Sequence, residues 1–290
     1  MTGHATPITI DAETEKIVRE IGIPPCPKIV LEFMQEMRKD DPNMRKLTDL
    51  IGSDPGLASA VLKMANSSMF GLKSKVSTIQ NAFSVLGMRA ASMLVSSLLL
   101  KRSFPVSQSK LIESFWRNSA GTATYAAALA PTFVQIDRHV AYTYGLFRDC
   151  GQAVMLVNYP DYDGIFTGAQ VPAGATVTSV EMQKYPVNHA SIGAVLSTSW
   201  YLSDVICEAI LQHHEIADIF AARVKPSLGA ARLIAIGLLA DQIQSLHQAS
   251  APHREWDSAK AFVGATLGIS AAGLENVGSM IDRTELAVTA

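Results

Sequence analysis

The chain has 290 residues, of which 48% are hydrophobic and 17% are charged, and its formal net charge is −2. This composition is typical of a compact globular protein with a sizeable core and excludes an intrinsically disordered chain. The near-neutral charge provides no global basic field, so neither nucleic acid nor an anionic membrane surface is expected as a partner. Cys26, Cys150 and Cys207 show no C-x-x-C spacing, and no signal peptide precedes them. Both features favour a cytoplasmic protein.

The first part of the chain is predicted to form six helices, because apolar residues recur at helical spacing between recognisable start and stop signals. Asp54 can cap free backbone N–H groups in front of Pro55, and Thr78 can do the same for the next helix. Gly87 is expected to end one helix before another begins. The predicted helices are residues 11–22, 29–37, 44–51, 55–66, 78–86 and 88–104.

Polar residues at the ends of the fourth helix admit two interpretations. Asp54, Asn66 and Ser67 could form a recognition surface, or they could satisfy backbone groups at the helix ends. We favour the second interpretation, because short polar side chains readily bond to nearby backbone.

The remainder is also predicted to be helical, apart from one long loop. Gly, Pro and small residues over 166–178 predict an exposed, mobile loop. The Gly- and Ala-rich helix over 111–130 is expected to let a central helix, which contains residues 141–155 and ends near Asn158, pack closely against it. Further helices are predicted over 179–184, 188–199, 203–214, 228–246, 261–267 and 274–281.

The expected class is all-α, since no alternating apolar-polar run of strand length occurs. We divide the chain into an N-terminal helix or arm, an N-terminal helical subdomain, a second helical subdomain and a C-terminal helical extension. Residues 105–109 carry the signals of the boundary between the two subdomains. The four segments are residues 1–22, 23–106, 107–248 and 249–290.

The central helix carries the most informative residues. Arg148 and Asp149 lie in the middle of an otherwise apolar stretch, where buried charges are costly unless both find partners. Gly145 and Gly151 would let neighbouring backbones come close to the pair. The pair therefore marks either a chemical site or the remnant of one.

This stretch resembles the helix that carries the His-Asp pair of HD-domain phosphohydrolases, G-L-x-H-D-x-G, with Arg148 in place of the histidine. The wider chain resembles the HDOD family, the HD-related output domains of bacterial signalling proteins, from about Ile21 to Glu215. That resemblance implies an HD-domain-like helical bundle with an N-terminal helical subdomain. The matching segments are P-P-C-P from 24, I-G-S-D-P-G-L from 51, A-N-S-S-M-F-G from 65, I-Q-N-A-F-S-V-L-G from 79, F-W-R-N-S from 115, N-H-A-S-I-G-A from 188 and I-L-Q-H-H-E from 210.

The resemblance implies a degenerate HD site with no catalytic residues. HD hydrolases hold metal ions with a His, the His-Asp pair and a distant Asp, and these positions match Asn118, Arg148-Asp149 and Asp241. Both histidines are therefore missing. Arginine offers no lone pair, and its charge repels a metal ion. We predict that Arg148 pairs with Asp241 across the pocket, because adjacent helical side chains diverge and keep it away from Asp149.

The related HD-GYP enzymes hold a second metal with the same Asp and three further histidines. Those positions resemble Asp149, His189, His213 and His214, which all keep the ligand type and favour one residual divalent ion of Fe, Mn or Zn. Against this, His213 and His214 would point about 100° apart on an ideal helix. We therefore favour structural histidines and expect no cofactor.

Three functions stay open. The favoured one is a non-catalytic signal-transduction module that acts through protein partners of a bacterial signalling pathway and is not an enzyme. A second is a receptor for a nucleotide or cyclic dinucleotide, in which Arg148 would bind phosphate as a bidentate donor. The third is a metal-dependent phosphohydrolase with a partial ligand set.

Overall fold

The computed structural model describes residues 10–22, 28–37, 39, 41–66, 75–104, 110–133, 136–248 and 253–277. Its helices are α1 (Ala12–Ile21), α2 (Lys28–Met37), α3 (Met44–Gly52), α4 (Pro55–Ala65), α5 (Ile79–Ser103), α6 (Lys110–Phe133), α7 (Arg138–Phe147), α8 (Cys150–Asn158), α9 (Asp163–Phe166), α10 (Val177–Lys184), α11 (His189–Ser199), α12 (Asp204–Gln212), α13 (Ile216–Phe220), α14 (Leu228–His247), α15 (Trp256–Leu267) and α16 (Ala271–Glu275).

No strand occurs among the described residues, so the predicted all-α class is confirmed. Helices α2 to α5 form one compact unit, and α1 with α6 to α16 forms the other. In the second unit α6 packs on α7 and α14, α11 packs on α8 and α12, α1 packs on α11, and α15 packs on α14. None of the described helices is long and apolar enough to cross a bilayer. The expected boundary at residues 105–109 lies outside the described residues.

Several helix ends follow from local sequence signals. The side chains of Asp11, Asp54 and Thr78 each accept a hydrogen bond from the backbone N–H three residues on, at 2.8, 2.9 and 3.1 Å. Gly22 ends α1 with a φ of 83°, a conformation that costs glycine little. Gly87 has a φ of 79° and interrupts α5, where the sequence predicts one helix to end and another to begin.

The polar residues near α4 serve its two ends. Besides capping α4, Asp54 lies 3.0 Å from the guanidinium of Arg102. The side-chain amide of Asn66 donates to the carbonyls of Leu62 and Val76, and its oxygen accepts from the N–H of Val76, each at 2.8 Å. These contacts support the helix-end interpretation. Ser67 lies outside the described residues.

The predicted single helix over residues 141–155 is wrong. Helix α7 ends at Phe147, and Arg148 and Asp149 form a turn before α8 begins. The apolar pattern runs through both helices, so it gave no sign of the break. The predicted close packing is present, because a Cβ on Gly145 would lie 2.7 Å from the Cα of Ala123 in α6, and a Cβ on Gly151 would lie 2.0 Å from the carbonyl oxygen of His189.

The predicted loop over 166–178 is shorter than expected. Phe166 ends α9 and Val177 begins α10, so the exposed loop comprises residues 167–176, with positive φ angles of 82° and 81° at Gly168 and Gly174. Further along, the short helix α13 was not predicted, and α15 begins earlier than the sequence suggested. Of the predicted helix over 274–281, only the start overlaps α16, and residues from 278 lie outside the described part.

Candidate metal centre

Four side chains of the unit formed by α1 and α6 to α16, which we call the HD-like unit, converge on one point. Asp149 lies in the turn between α7 and α8, His189 is the first residue of α11, and His213 and His214 follow the end of α12. One ligand atom from each lies within 4.8 Å of those of the other three. Oδ1 of Asp149 is 3.4 Å from Nε2 of His189 and from Nε2 of His213, and the Nε2 atoms of His189 and His214 are 3.0 Å apart.

The expected divergence of His213 and His214 is wrong. That expectation assumed a helix through both residues, whereas α12 ends at Gln212 and the two histidines lie in a turn. Their ring centroids are 4.1 Å apart. The turn therefore directs both imidazoles into the same pocket.

Each imidazole is held in place through its Nδ1 atom. Nδ1 of His189 lies 2.8 Å from both oxygens of Glu181, and Nδ1 of His214 lies 2.8 Å from Oε1 of Glu255. Nδ1 of His213 lies 2.7 Å from the carbonyl oxygen of Ile210. When Nδ1 donates a proton to such a partner, Nε2 keeps its lone pair for a metal.

The residues present fit a single divalent metal ion. Nε2 of His213 is buried and has no hydrogen-bond partner among the described residues, which is unusual for a buried polar atom. Three imidazole nitrogens and one carboxylate oxygen form a ligand set suited to Fe, Mn or Zn. The outer partners of the three histidines are those that orient metal ligands in other proteins.

Protons and hydrogen bonds balance the charges of this cluster. Burial opposes ionisation of Asp149, but Arg148 and the nearby imidazoles of His189 and His213 hold the pKa of Asp149 well below its usual value. Burial alone would lower the pKa of His189, whereas Glu181 and Asp149 raise it to about 10. Burial and then His214 lower the pKa of His213 to about 3. A protonated His189 can donate to Glu181 and His214 together, and a metal would displace that proton.

Arg148 forms the predicted ion pair with Asp241. The arginine is 2% exposed, and its Nη1 donates to Oδ2 of Asp241. Its Nε also lies 3.6 Å from Oδ2 of Asp149, so the expectation that the two neighbours stay apart is wrong. The turn at these residues, rather than a helix, allows both contacts. Burial opposes the charge on Arg148, but the two carboxylates raise its pKa, so a fixed cation lies between them.

A cavity of about 490 Å³ opens beside the cluster. Asp149, His214, Arg148 and Asp241 line it, whereas the fully buried His189 and His213 do not. Asn118 lies on the cavity wall and is exposed, so the structure places it beside the converging ligands and not among them. Most of the remaining wall is polar and includes Ser114, Thr122, Gln152, Thr167, Gln244, Ser245, Gln248, His253, Arg254 and Glu255.

The residues that support the histidines carry no recognisable sequence signal. Glu181 is fully buried, and it also accepts hydrogen bonds from the hydroxyl of Tyr162 and the N–H of His189. Glu255 lies far along the chain from its partner His214. Thr122 in α6 donates a hydrogen bond of 2.7 Å to Asp241 in α14. These contacts are made by the fold, so no local motif marks them.

Comparison with known proteins identifies a family and a shared helical fold. The family model of the HDOD domain matches residues 23–216. A curated relative, an uncharacterized protein of Treponema pallidum (strain Nichols), is 26% identical over 215 residues, which make up 72% of this chain and 42% of the relative. The chain therefore spans less than half the length of that relative.

Solved structures share the fold. An HDOD domain protein of Geobacter sulfurreducens is 22% identical, with a TM-score of 0.69 and coverage of 96% of this chain and 97% of that one. A Shewanella amazonensis SB2B protein, assigned by name to the phosphohydrolases, is 23% identical, with a TM-score of 0.71 and coverage of 96% and 97%. A Marinobacter aquaeolei VT8 protein, assigned by name to signal transduction, is 22% identical, with a TM-score of 0.71 and coverage of 98% and 62%. Given the length of the family match and the HD-type helical fold, this chain belongs to the HDOD family.

Proposed function

We propose that this chain is a non-catalytic cytoplasmic signalling module that acts through protein partners of a bacterial pathway and holds one divalent metal ion. The observation that carries the proposal is the position of Arg148. Its guanidinium lies between Asp149 and Asp241, the two carboxylates that the family resemblance assigns to the HD metal site. A metal ion placed between these two carboxylates would be in contact with the positive charge of Arg148, which would repel it.

The residues at this site have separate roles. Glu181, Glu255 and the Ile210 carbonyl orient the three imidazoles, and Arg148 neutralises Asp241. A divalent ion, when bound, would act as a Lewis acid and lower the pKa of a bound water. The partial ligand set that remains is suited to holding one ion as a structural or sensory element.

An assay of hydrolysis tests the non-catalytic proposal. The metal-loaded protein is incubated with a cyclic dinucleotide, a nucleotide and a generic phosphomonoester in the presence of Mn²⁺ or Fe²⁺. We expect no turnover above that of the Asp149→Ala variant. Turnover that this variant abolishes would support the alternative of a phosphohydrolase with a partial ligand set.

A receptor for a nucleotide or cyclic dinucleotide is the second candidate, and the polar cavity favours it. A volume of about 490 Å³ is within the range of small-molecule sites. The role foreseen for Arg148 as a phosphate donor lacks support, because the guanidinium is buried and engaged with Asp241. Titration calorimetry with cyclic dinucleotides and mononucleotides separates this candidate from a module that acts through protein partners alone.

A further inference from the structure

Three consecutive residues between α14 and α15 connect the candidate metal centre to the surface. We call His253, Arg254 and Glu255 the bridge segment. Glu255 accepts a hydrogen bond from Nδ1 of His214 at 2.8 Å. Arg254 donates from Nη2 to the carbonyl of Gly168, in the exposed loop, at 3.0 Å. The backbone N–H of His253 donates to a side-chain oxygen of α14 at 2.8 Å, which anchors the bridge segment at its start.

The contact between His214 and Glu255 depends on whether a metal ion is bound. Glu255 is 8% exposed, and its second oxygen has no hydrogen-bond partner among the described residues. His214 is therefore its main polar contact. When Nε2 of His214 binds a divalent cation, its Nδ1–H becomes a stronger donor and the nearby charge increases. Without the cation, this strengthening is absent. The attraction on Glu255 thus differs between the two states.

The contact between Arg254 and Gly168 requires close packing of the guanidinium on the loop. Gly168 has a φ of 82°, and a Cβ added there would lie 1.7 Å from Nη2 of Arg254. Only glycine allows the guanidinium to pack this closely on the loop backbone. Arg254 and Glu255 are chain neighbours about 3.8 Å apart at Cα, and Trp256 is buried at the start of α15. A shift of Glu255 therefore reaches Arg254.

We propose that the bridge segment transmits occupancy of the metal centre to the exposed loop. Metal binding strengthens the hydrogen bond between His214 and Glu255, which holds Arg254 against Gly168 and restrains the loop. Loss of the metal weakens both contacts. This inference rests on the proposed function in one respect, that the four ligands bind a metal ion. The loop then differs between the two states as a surface for a protein partner.

Hydrogen exchange of the loop amides, followed by mass spectrometry, tests the inference. Exchange of the peptide that spans residues 167–176 is compared for the full chain with Zn²⁺ and with a chelator, and metal content is measured on the same samples. We expect the metal to slow exchange by about two- to tenfold, the effect of one retained hydrogen bond.

Two variants separate transmission from general stabilisation. Arg254→Ala removes an exposed side chain that is not a metal ligand, so it should bind Zn²⁺ like the parent but lose the loop response. Lys260→Ala on α15 is the control, because its exposed side chain pairs only with the exposed Asp257 in the described contacts, and it should keep the response. A bound ion without any loop response, or a full response in Arg254→Ala, would overturn the inference. Absence of bound metal would instead contradict the proposed function, and the metal analysis distinguishes the two results.

Discussion

Replacement of Arg148 by alanine is expected to destabilise the HD-like unit strongly. The guanidinium is 2% exposed and pairs with Asp241, whose side chain is 12% exposed, and with Asp149. The variant leaves two neighbouring carboxylates without their common counter-charge. Breaking a buried pair in this way costs about 3–5 kcal/mol. For a unit of this size, that loss corresponds to a fall in Tm of roughly 6–20 °C, measurable by differential scanning calorimetry.

A matched surface variant provides the control. Arg223 pairs with Asp218, but its side chain is 66% exposed, so Arg223→Ala should cost less than about 1 kcal/mol. Combining Arg148→Ala with Asp241→Asn should recover part of the loss, because the double variant no longer leaves Asp241 charged and unpaired. The reasoning is refuted if Arg148→Ala melts within about 2 °C of the parent, as expected for a surface residue.

Three further predictions follow from the contacts described. Glu181→Gln should weaken metal binding about 10–100-fold, since it removes the carboxylate that orients His189; competition with a chromophoric chelator measures this, and unchanged affinity would contradict it. Gly151→Ala should lower stability in urea by about 1–3 kcal/mol or more because its Cβ meets backbone, whereas Gly52→Ala, with nothing within 4 Å of its Cβ, should not. Hydrogen bonds from two lysines lower the pKa of Glu36 to about 2, so its contribution to stability is present above pH 4.5 and is lost as the pH falls towards 2. The urea midpoint of Glu36→Gln should therefore fall less than that of the parent between pH 5 and pH 3. An equal fall of the two midpoints would contradict the pairing of Glu36 with the lysines.

Features that depend on a few neighbouring residues could be predicted from the sequence. The caps at Asp54 and Thr78 each use a side chain that bonds to an N–H three residues on, so the residue type and position were enough. The close contacts at Gly145 and Gly151 were also predictable. A charged pair in a buried apolar stretch needs partners nearby, and glycine lets neighbouring backbones approach. The long-range Arg148–Asp241 pair followed from charge balance together with the family resemblance, which placed Asp241 at the same site.

Features created by the fold could not be predicted in the same way. The turn at Arg148-Asp149 interrupts a sequence that reads as continuous helix, and the turn at His213-His214 replaces the last residues of another predicted helix. Each turn reverses a conclusion about side-chain direction. Glu181 and Glu255 reach their histidines only after α10 and the bridge segment are packed. A period of 3.6 residues cannot signal where a helix gives way to a turn that aims two adjacent side chains into one pocket.

The metal content of the folded chain tests the central claim most directly. The purified protein is loaded in turn with Fe²⁺, Mn²⁺ or Zn²⁺ and freed of unbound ion by gel filtration. Its bound metal is then quantified by elemental mass spectrometry. The account predicts one divalent ion per chain, and it predicts that His213→Ala loses the ion while circular dichroism shows that the helices remain. Two ions per chain, no ion at all, or an ion that His213→Ala retains would contradict the account.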